Sequence, residues 1–226
     1  MNKINSVTVG FIQTNCWLYP LENETAGQRR CAVIDPGEEA DLIIAKLREL
    51  NWVPAYVLLT HGHIDHVAAL PDLLAAFSNN DTGSVPKIGI HKLDSSYLGK
   101  NSFGIHCESF TAAGGTDDYV KRIWKPMPDA DLLFEEGDIV GPFKVLHVPG
   151  HTPGSVGFYD EKTGVIFSGD TLFRGTWGRT DLPGGNEEQI FQSLKRLLSM
   201  KGEIVVCPGH GSATTIEEEI NLLKEF

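Results

Sequence analysis

The sequence predicts a mixed α/β fold in which sheets are covered by helices. Three observations carry that prediction. Short β-type runs of apolar residues are bounded by Gly, Pro, Asn and Asp; amphipathic helical stretches lie between them along the whole chain; and histidines and aspartates sit within a few residues of the ends of the β-type runs. With 226 residues, 41% hydrophobic and 22% charged, the chain has enough apolar material for a sizeable core. One domain over residues 1–226 is the expectation.

Residues 6–11, 15–19 and 30–34 read as strands, the last running into Asp35-Pro36-Gly37. Leu42, Ile43, Ile44, Leu47 and Leu50 then recur at helical spacing, and Tyr56-Val57-Leu58-Leu59 reads as a buried strand. Residues 67–77 look helical but contain Pro71, which predicts a break or a new first turn there. Further strands are expected at 87–90, 143–148, 156–159, 165–168 and 203–206. Amphipathic helices are expected at 187–200 and 215–226, the second covering a sheet through Ile216, Ile220 and Leu223. Between these elements, residues 94–131 are rich in Gly, Ser and Asp and contain Phe103, Phe110, Tyr119 and Trp124. Two readings of that segment stay open: a surface excursion with its own aromatic cluster, or a lid or wall of a substrate groove.

Thirty acidic against 19 basic residues leave a formal charge of −11, which repels phosphate backbones and anionic lipid and argues against nucleic acid or membrane as a partner. Cys16, Cys31, Cys107 and Cys207 form no close pair, so four reduced thiols are expected, with a Cys16–Cys31 disulfide as the alternative. The first residues show no export leader and no segment approaches 18 uninterrupted apolar residues, which leads to the expectation of a soluble, cytoplasmic protein.

The chemistry is concentrated in Thr60-His61-Gly62-His63-Ile64-Asp65-His66, directly after the buried run at 57–59. Clustered imidazoles and a carboxylate at a strand end are costly unless something satisfies them, and a divalent ion does so. The placement recurs with single residues: His151, Asp170 and His210 each follow a predicted strand by a few residues inside a Gly-containing turn. Donors gathered past the carboxyl ends of neighbouring strands make one site. Seven such side chains exceed the needs of one tetrahedral zinc and suit two ions that share a carboxylate and a bridging water. Zinc fits the donor types, with iron and manganese as alternatives. His91, His106 and His147 lack a partnered motif and read as structural or solvent-facing.

The motifs Gln13-Thr14-Asn15-Cys16, Asp35-Pro36-Gly37, His61 to His66, Pro149-Gly150-His151-Thr152, Gly169-Asp170-Thr171-Leu172-Phe173, Gly178-Arg179-Thr180-Asp181 and Pro208-Gly209-His210-Gly211 resemble, in order, those of metallo-β-lactamase-fold proteins, and more narrowly the glyoxalase II (hydroxyacylglutathione hydrolase)-like branch. The resemblance implies a four-layer αββα sandwich. It also implies that His61, His63 and His151 hold one ion, that Asp65, His66 and His210 hold a second, and that Asp170 bridges them, with Asp65 and Asp170 as catalytic carboxylates. It implies a hydrolase of small thioesters, glutathione-linked ones among them. Asp35 is either the residue that orients the ligand loop or simply a turn former. Arg174 and Arg179 are candidates for substrate binding, although Arg179 has Asp181 close by as an ion-pair partner. The competing readings are an iron-dependent persulfide dioxygenase of the same fold, using His61, His151 and Asp170, and a non-catalytic metal-stabilised binding domain. With 16 residues (226 − 210) after His210, the expectation is a chain that lacks the branch's helical domain.

Overall fold

The computed structural model describes residues 4–25, 27–78 and 85–222. Its first sheet takes its strands in chain order: β1 (Asn5–Val9), β2 (Thr14–Thr25), β3 (Gln28–Ile34), β4 (Trp52–Leu58), β5 (Lys87–His91) and β6 (Leu132–Phe134). β1, β2 and β3 pair antiparallel, and β3 through β6 pair parallel. The second sheet begins as an antiparallel meander of β7 (Ile139–Val140), β8 (Phe143–His147), β9 (Val156–Asp160) and β10 (Val165–Gly169). A small hairpin, β11 (Leu172–Phe173) with β12 (Thr176–Trp177), follows. β13 (Val205–Pro208) then joins β10 in parallel, and β14 (Thr214–Thr215) closes the sheet antiparallel to β13.

The parallel connections require crossovers, and helices supply them. α1 (Ala40–Glu49) links β3 to β4; α2 (Ile64–Val67) and α3 (Leu70–Phe77) link β4 to β5; α4 (Phe103–Ala112) and α5 (Asp117–Ile123) link β5 to β6. α6 (Glu187–Leu198) precedes β13, and α7 (Ile216–Leu222) follows β14. α6 shows why the chain is helical there. Asn186 accepts a hydrogen bond from the Gln189 amide as N-cap, Glu187 and Glu188 face the positive end of the helix dipole, and Lys195 and Arg196 face the negative end.

Strand alternation divides the apolar residues into three cores. Cys31 and Val33 point from β3 towards α1 and α3, whereas Ala32 and Ile34 point between the two sheets. On the second sheet Val145, Phe167 and Cys207 point inward, and their neighbours Leu146, Ile166 and Val206 pack against Ile190, Leu194, Leu197 and Ile216 of α6 and α7. Helix, sheet, sheet, helix is the resulting order, the αββα sandwich that the resemblance implied. Between the sheets Phe143 meets Phe167 edge-on at 5.8 Å and Tyr19 at 4.9 Å.

Several expectations shift in detail. β4 starts at Trp52, ahead of the apolar run at 56–59, and carries Pro54 inside it. A register shift against β3 skips Ala55, and β5 pairs only from Tyr56 onward, so Pro54 owes no amide to that neighbour. Pro71 falls in the first turn of α3, after a break from α2. Residues 94–131 are largely ordered as helix, with Phe110 stacked on Tyr119 and Phe103 against Trp124. The last helix is described to Leu222, so Leu223 and the rest of the expected 215–226 stretch lie outside the described residues. All four cysteines are free. No helix among the described residues is long and apolar enough to cross a membrane.

Candidate metal centre

Each predicted donor lies past a strand end on one rim of the sandwich. β4 ends at Leu58, and the loop after it carries His61 and His63; His63 caps α2, which places Asp65 and His66 on the next turn. His151 lies in the turn after β8, Asp170 one residue after β10 and His210 two residues after β13. These turns need glycine. Gly169 has φ +50°, and a Cβ on it would meet Thr60 Oγ1 at 2.3 Å. A Cβ on Gly209 would stand 2.1 Å from Asp170 Oδ1 and 2.8 Å from His66 Cε1, so any side chain there would enter the donor cluster itself.

Two separate triads among the donors could hold metal, His61 with His63 and His151, and Asp65 with His66 and His210; a third grouping, Asp35 with His61 and His66, overlaps both. His63 Nδ1 lies 2.9 Å from His151 Nε2, and His66 Nε2 lies 3.3 Å from His210 Nε2. Asp65 Oδ2 is 3.4 Å from both His66 and His210. Asp170 reaches into both groups: Oδ1 is 3.4 Å from His66 Nε2, and Oδ2 is 3.3 Å from His210 Nε2 and 3.6 Å from His151 Nε2. Two donors each about 2.1 Å from one tetrahedral ion would lie roughly 3.4 Å apart, so the spacing fits ion-sized gaps.

Burial makes the same demand. His61 Nε2 and Asp170 Oδ1 are buried without a hydrogen-bond partner, a state that costs energy unless an electrophile faces them. His151 donates Nδ1–H to the Arg179 carbonyl at 2.7 Å, which leaves its Nε2 lone pair aimed at His63. The residues present therefore fit a pair of divalent ions.

Electrostatics separates the histidines by role. Burial, together with neighbouring imidazoles, holds His61 well below the usual value and His63 at about 3, so both are neutral, the form that coordinates metal. Burial alone would depress His66 and His210 too. It is outweighed by Asp65 and Asp170, which lift His66 to about 9 and His210 to about 11. Burial would likewise raise the two carboxyls, yet His66 and His210 pull Asp170 down to about 2 and Asp65 far below the ordinary carboxylate range. The two carboxylates are thus ionised, and without metal the protons on His66 and His210 balance them, protons that a divalent cation would displace.

A buried frame fixes these side chains. Asp35 accepts the Thr60 amide at 2.8 Å, the Thr60 hydroxyl at 2.6 Å and His66 Nδ1–H at 3.0 Å, so it orients His66 and is more than a turn former. The grouping of Asp35 with His61 and His66 as possible ligands is better read as support, because its oxygens already hold these donors. Asp94, which the sequence gives no reason to single out, is fully buried and accepts Gly62 N–H at 3.1 Å, Thr152 Oγ1–H at 2.8 Å and Gly154 N–H at 2.7 Å. It clamps the His61–His63 loop to the His151 turn. Thr14 donates to Asp65 at 3.0 Å, and Asn15 donates to the carbonyls of Pro208 and Gly211 on either side of His210, which gives a physical reason for the Gln13–Cys16 motif.

The other candidates sit apart from the donors. Arg174 faces Glu218 at 3.9 Å and does not line the central cavity. Arg179 does line it, with its guanidinium bound to both Asp181 oxygens at 2.7 and 2.8 Å. His147 donates to or accepts from no metal donor; it lies 2.9 Å from the Pro153 carbonyl and stacks on His91 at 4.3 Å. His147→Ala should therefore leave metal content unchanged while His151→Ala lowers it, and elemental analysis of the two purified variants checks this; the opposite result would reassign the ligand.

His106 of α4 is buried, with Nε2 on the Tyr97 carbonyl at 2.9 Å and Nδ1 unpartnered. Burial lowers it to about 4. A histidine whose folded value lies below the unfolded 6.5 contributes nothing above pH 6.5 and destabilises the fold progressively as pH falls towards 4. At pH 5 this penalty is about 2 kcal/mol. Urea unfolding should show His106→Gln losing less stability than wild type between pH 7.5 and pH 5.

A model of the metallo-beta-lactamase superfamily matches residues 9–210, a span that includes all seven donors. Hydroxyacylglutathione hydrolase GloC of Haemophilus influenzae is 35% identical over 226 residues, covering 96% of this chain and 94% of its own. Probable metallo-hydrolase YqgX of Bacillus subtilis is 32% identical, with 96% and 94% covered. Among solved structures, TTHA1623 in a di-iron-bound form superposes with a TM-score of 0.77 at 36% identity, over 96% of this chain and 98% of that one.

Proposed function

This chain belongs to the metallo-beta-lactamase superfamily and is a metal-dependent hydrolase of that fold, and from this premise we propose that it is a thioesterase of the hydroxyacylglutathione hydrolase type. What supports the reading is the convergence of six potential ligands with Asp170 within 3.6 Å of both groups, alongside 35% identity to a hydroxyacylglutathione hydrolase over nearly the whole of both chains. Residues 1–226 act as one domain in this proposal. His61, His63 and His151 would hold one ion and Asp65, His66 and His210 the other, with Asp170 within reach of both groups. Zinc suits these donors, and iron is the ion in the TTHA1623 structure.

Divalent ions in this cluster would supply a water of lowered pKa and polarise an acyl carbonyl. The chain's own residues do the rest. Asp65, ionised and steadied by Thr14, accepts a hydrogen bond from the attacking water and orients it; Asp170 keeps the two donor groups at one spacing; Asp35, Asp94 and the Arg179 carbonyl hold the imidazoles so that no reorganisation accompanies the reaction. Water adds to the acyl carbon and the C–S bond breaks, releasing a carboxylic acid and a thiol. A thiol pKa of about 8.5 makes the thiolate a good leaving group, so little acid assistance is needed.

Metal analysis joined to a thioester panel tests the proposal. Close to two ions per chain and cleavage of S-lactoylglutathione with weak saturation are expected, because the one Lys or Arg among the described residues lining the cavity, Arg179, is already held by Asp181. Oxygen uptake with glutathione persulfide and no thioester cleavage would overturn it in favour of the dioxygenase.

A further inference from the structure

The cavity that opens onto the donors has a volume of about 360 Å³, at the small end of the roughly 300–1,000 Å³ of ligand pockets. His63, Asp65, His151, Asp170 and His210 are part of its lining. Most of the remaining lining is apolar: Ile12, Ile64, Phe110, Ala113, Phe173 and Leu182. These come from separate parts of the chain. Ile12 stands 37% exposed on the turn between β1 and β2, where Gln13 donates back to Gly10 and lifts the tip clear of the sheet. Phe110 and Ala113 come from the end of α4, so the segment at 94–131 reaches the groove as a wall.

Away from the metal donors, charge is scarce on this lining. Among the described residues that form it, Arg179 is the one Lys or Arg, and its guanidinium is already held by both oxygens of Asp181. A thiol that carries two carboxylates, as glutathione does, finds no unpaired basic group inside the cavity, whereas an alkyl chain finds continuous apolar contact beside the acyl-carbon position. We propose that the groove bounded by Ile12, Phe110 and Phe173 receives an apolar acyl chain, and that the protein selects its thioester substrates by the length of that chain. This rests on the thioesterase reading and specifies its substrate class, short-to-medium acyl thioesters of small thiols.

The product side gives a test that does not depend on turnover. Straight-chain carboxylates from acetate to octanoate are titrated by calorimetry into the metal-loaded protein. Dissociation constants should fall by up to about fourfold for each methylene buried, then level off when the groove is full. Phe110→Ala and Ile12→Ser should flatten the series; Ile12 lies on an exposed tip, so this second variant keeps the test valid if the first perturbs α4. The matching series of N-acetylcysteamine thioesters should show the same trend in KM, with kcat nearly constant. Affinity independent of chain length, or a length dependence that survives in both variants, overturns the groove assignment. A length-dependent carboxylate series with no thioester cleaved would instead retain the groove and remove the thioesterase reading.

Discussion

Replacing Asp170 by alanine should leave less than one ion per chain and lower thioester turnover by about a thousandfold or more. Its carboxylate reaches both donor groups: the oxygens lie 3.4 Å from His66, 3.3 Å from His210 and 3.6 Å from His151. Its loss removes a donor from each group and one of the two negative charges that draw cations into a pocket of buried imidazoles. His66 and His210 would respond in a defined way. Each is held above its usual value by Asp65 and Asp170 together, so both should titrate lower in the variant, which NMR of the metal-free protein can follow. Circular dichroism should show an intact fold, since the three apolar cores do not include Asp170. A variant that retains two ions at full occupancy would show that Asp170 is not shared.

Asp94→Ala should be nearly as damaging although Asp94 belongs to neither donor group. Its carboxylate, fully buried, holds three donors from two loops: the Gly62 amide between His61 and His63, and Thr152 and Gly154 just beyond His151. Alanine leaves these donors unsatisfied in the interior, at about 3–5 kcal/mol of stability in all. It also frees the His151 turn to move relative to the His61–His63 loop, which should weaken metal binding by about 10–100-fold. Chelator competition on the folded variant measures the second effect apart from the first. Unchanged metal affinity in a folded Asp94→Ala protein would confine the residue to a role in stability. Asp94→Asn should recover part of the stability, because one carbonyl oxygen can still accept, but its amide hydrogens would face groups that also donate.

The donors were legible in sequence for a local reason. A run such as Thr60 to His66 has no use as packing, and in each of the other three turns a histidine or aspartate stands in a Gly-containing bend just past a strand. The supporting residues were harder to read. Asp94 lies in a segment whose composition marks only a polar excursion, and its partners Gly62, Thr152 and Gly154 are 32, 58 and 60 residues away. Strands as short as β7, β11, β12 and β14 contain two residues each, too few for an alternating pattern to register. α4 was missed because its apolar and polar residues do not sort onto clear opposite faces: it buries His106 and Ser109 and turns Phe110 towards the cavity.

The sequence by itself pointed to the mixed α/β class, to most of the longer strands and helices and to seven side chains of metal-donor type, because periodicity, turn chemistry and donor type are properties of neighbouring residues. Tertiary structure decided what depends on residues distant along the chain. It placed Asp170 between the two donor groups, paired Arg179 with Asp181, turned Asp35 and Asp94 into buried supports, and brought Ile12, Phe110 and Phe173 together as one apolar wall. Burial is the physical reason for the difference: the cost of a lone pair or an apolar side chain depends on what surrounds it, and those surroundings come into being only when the two sheets close on one another.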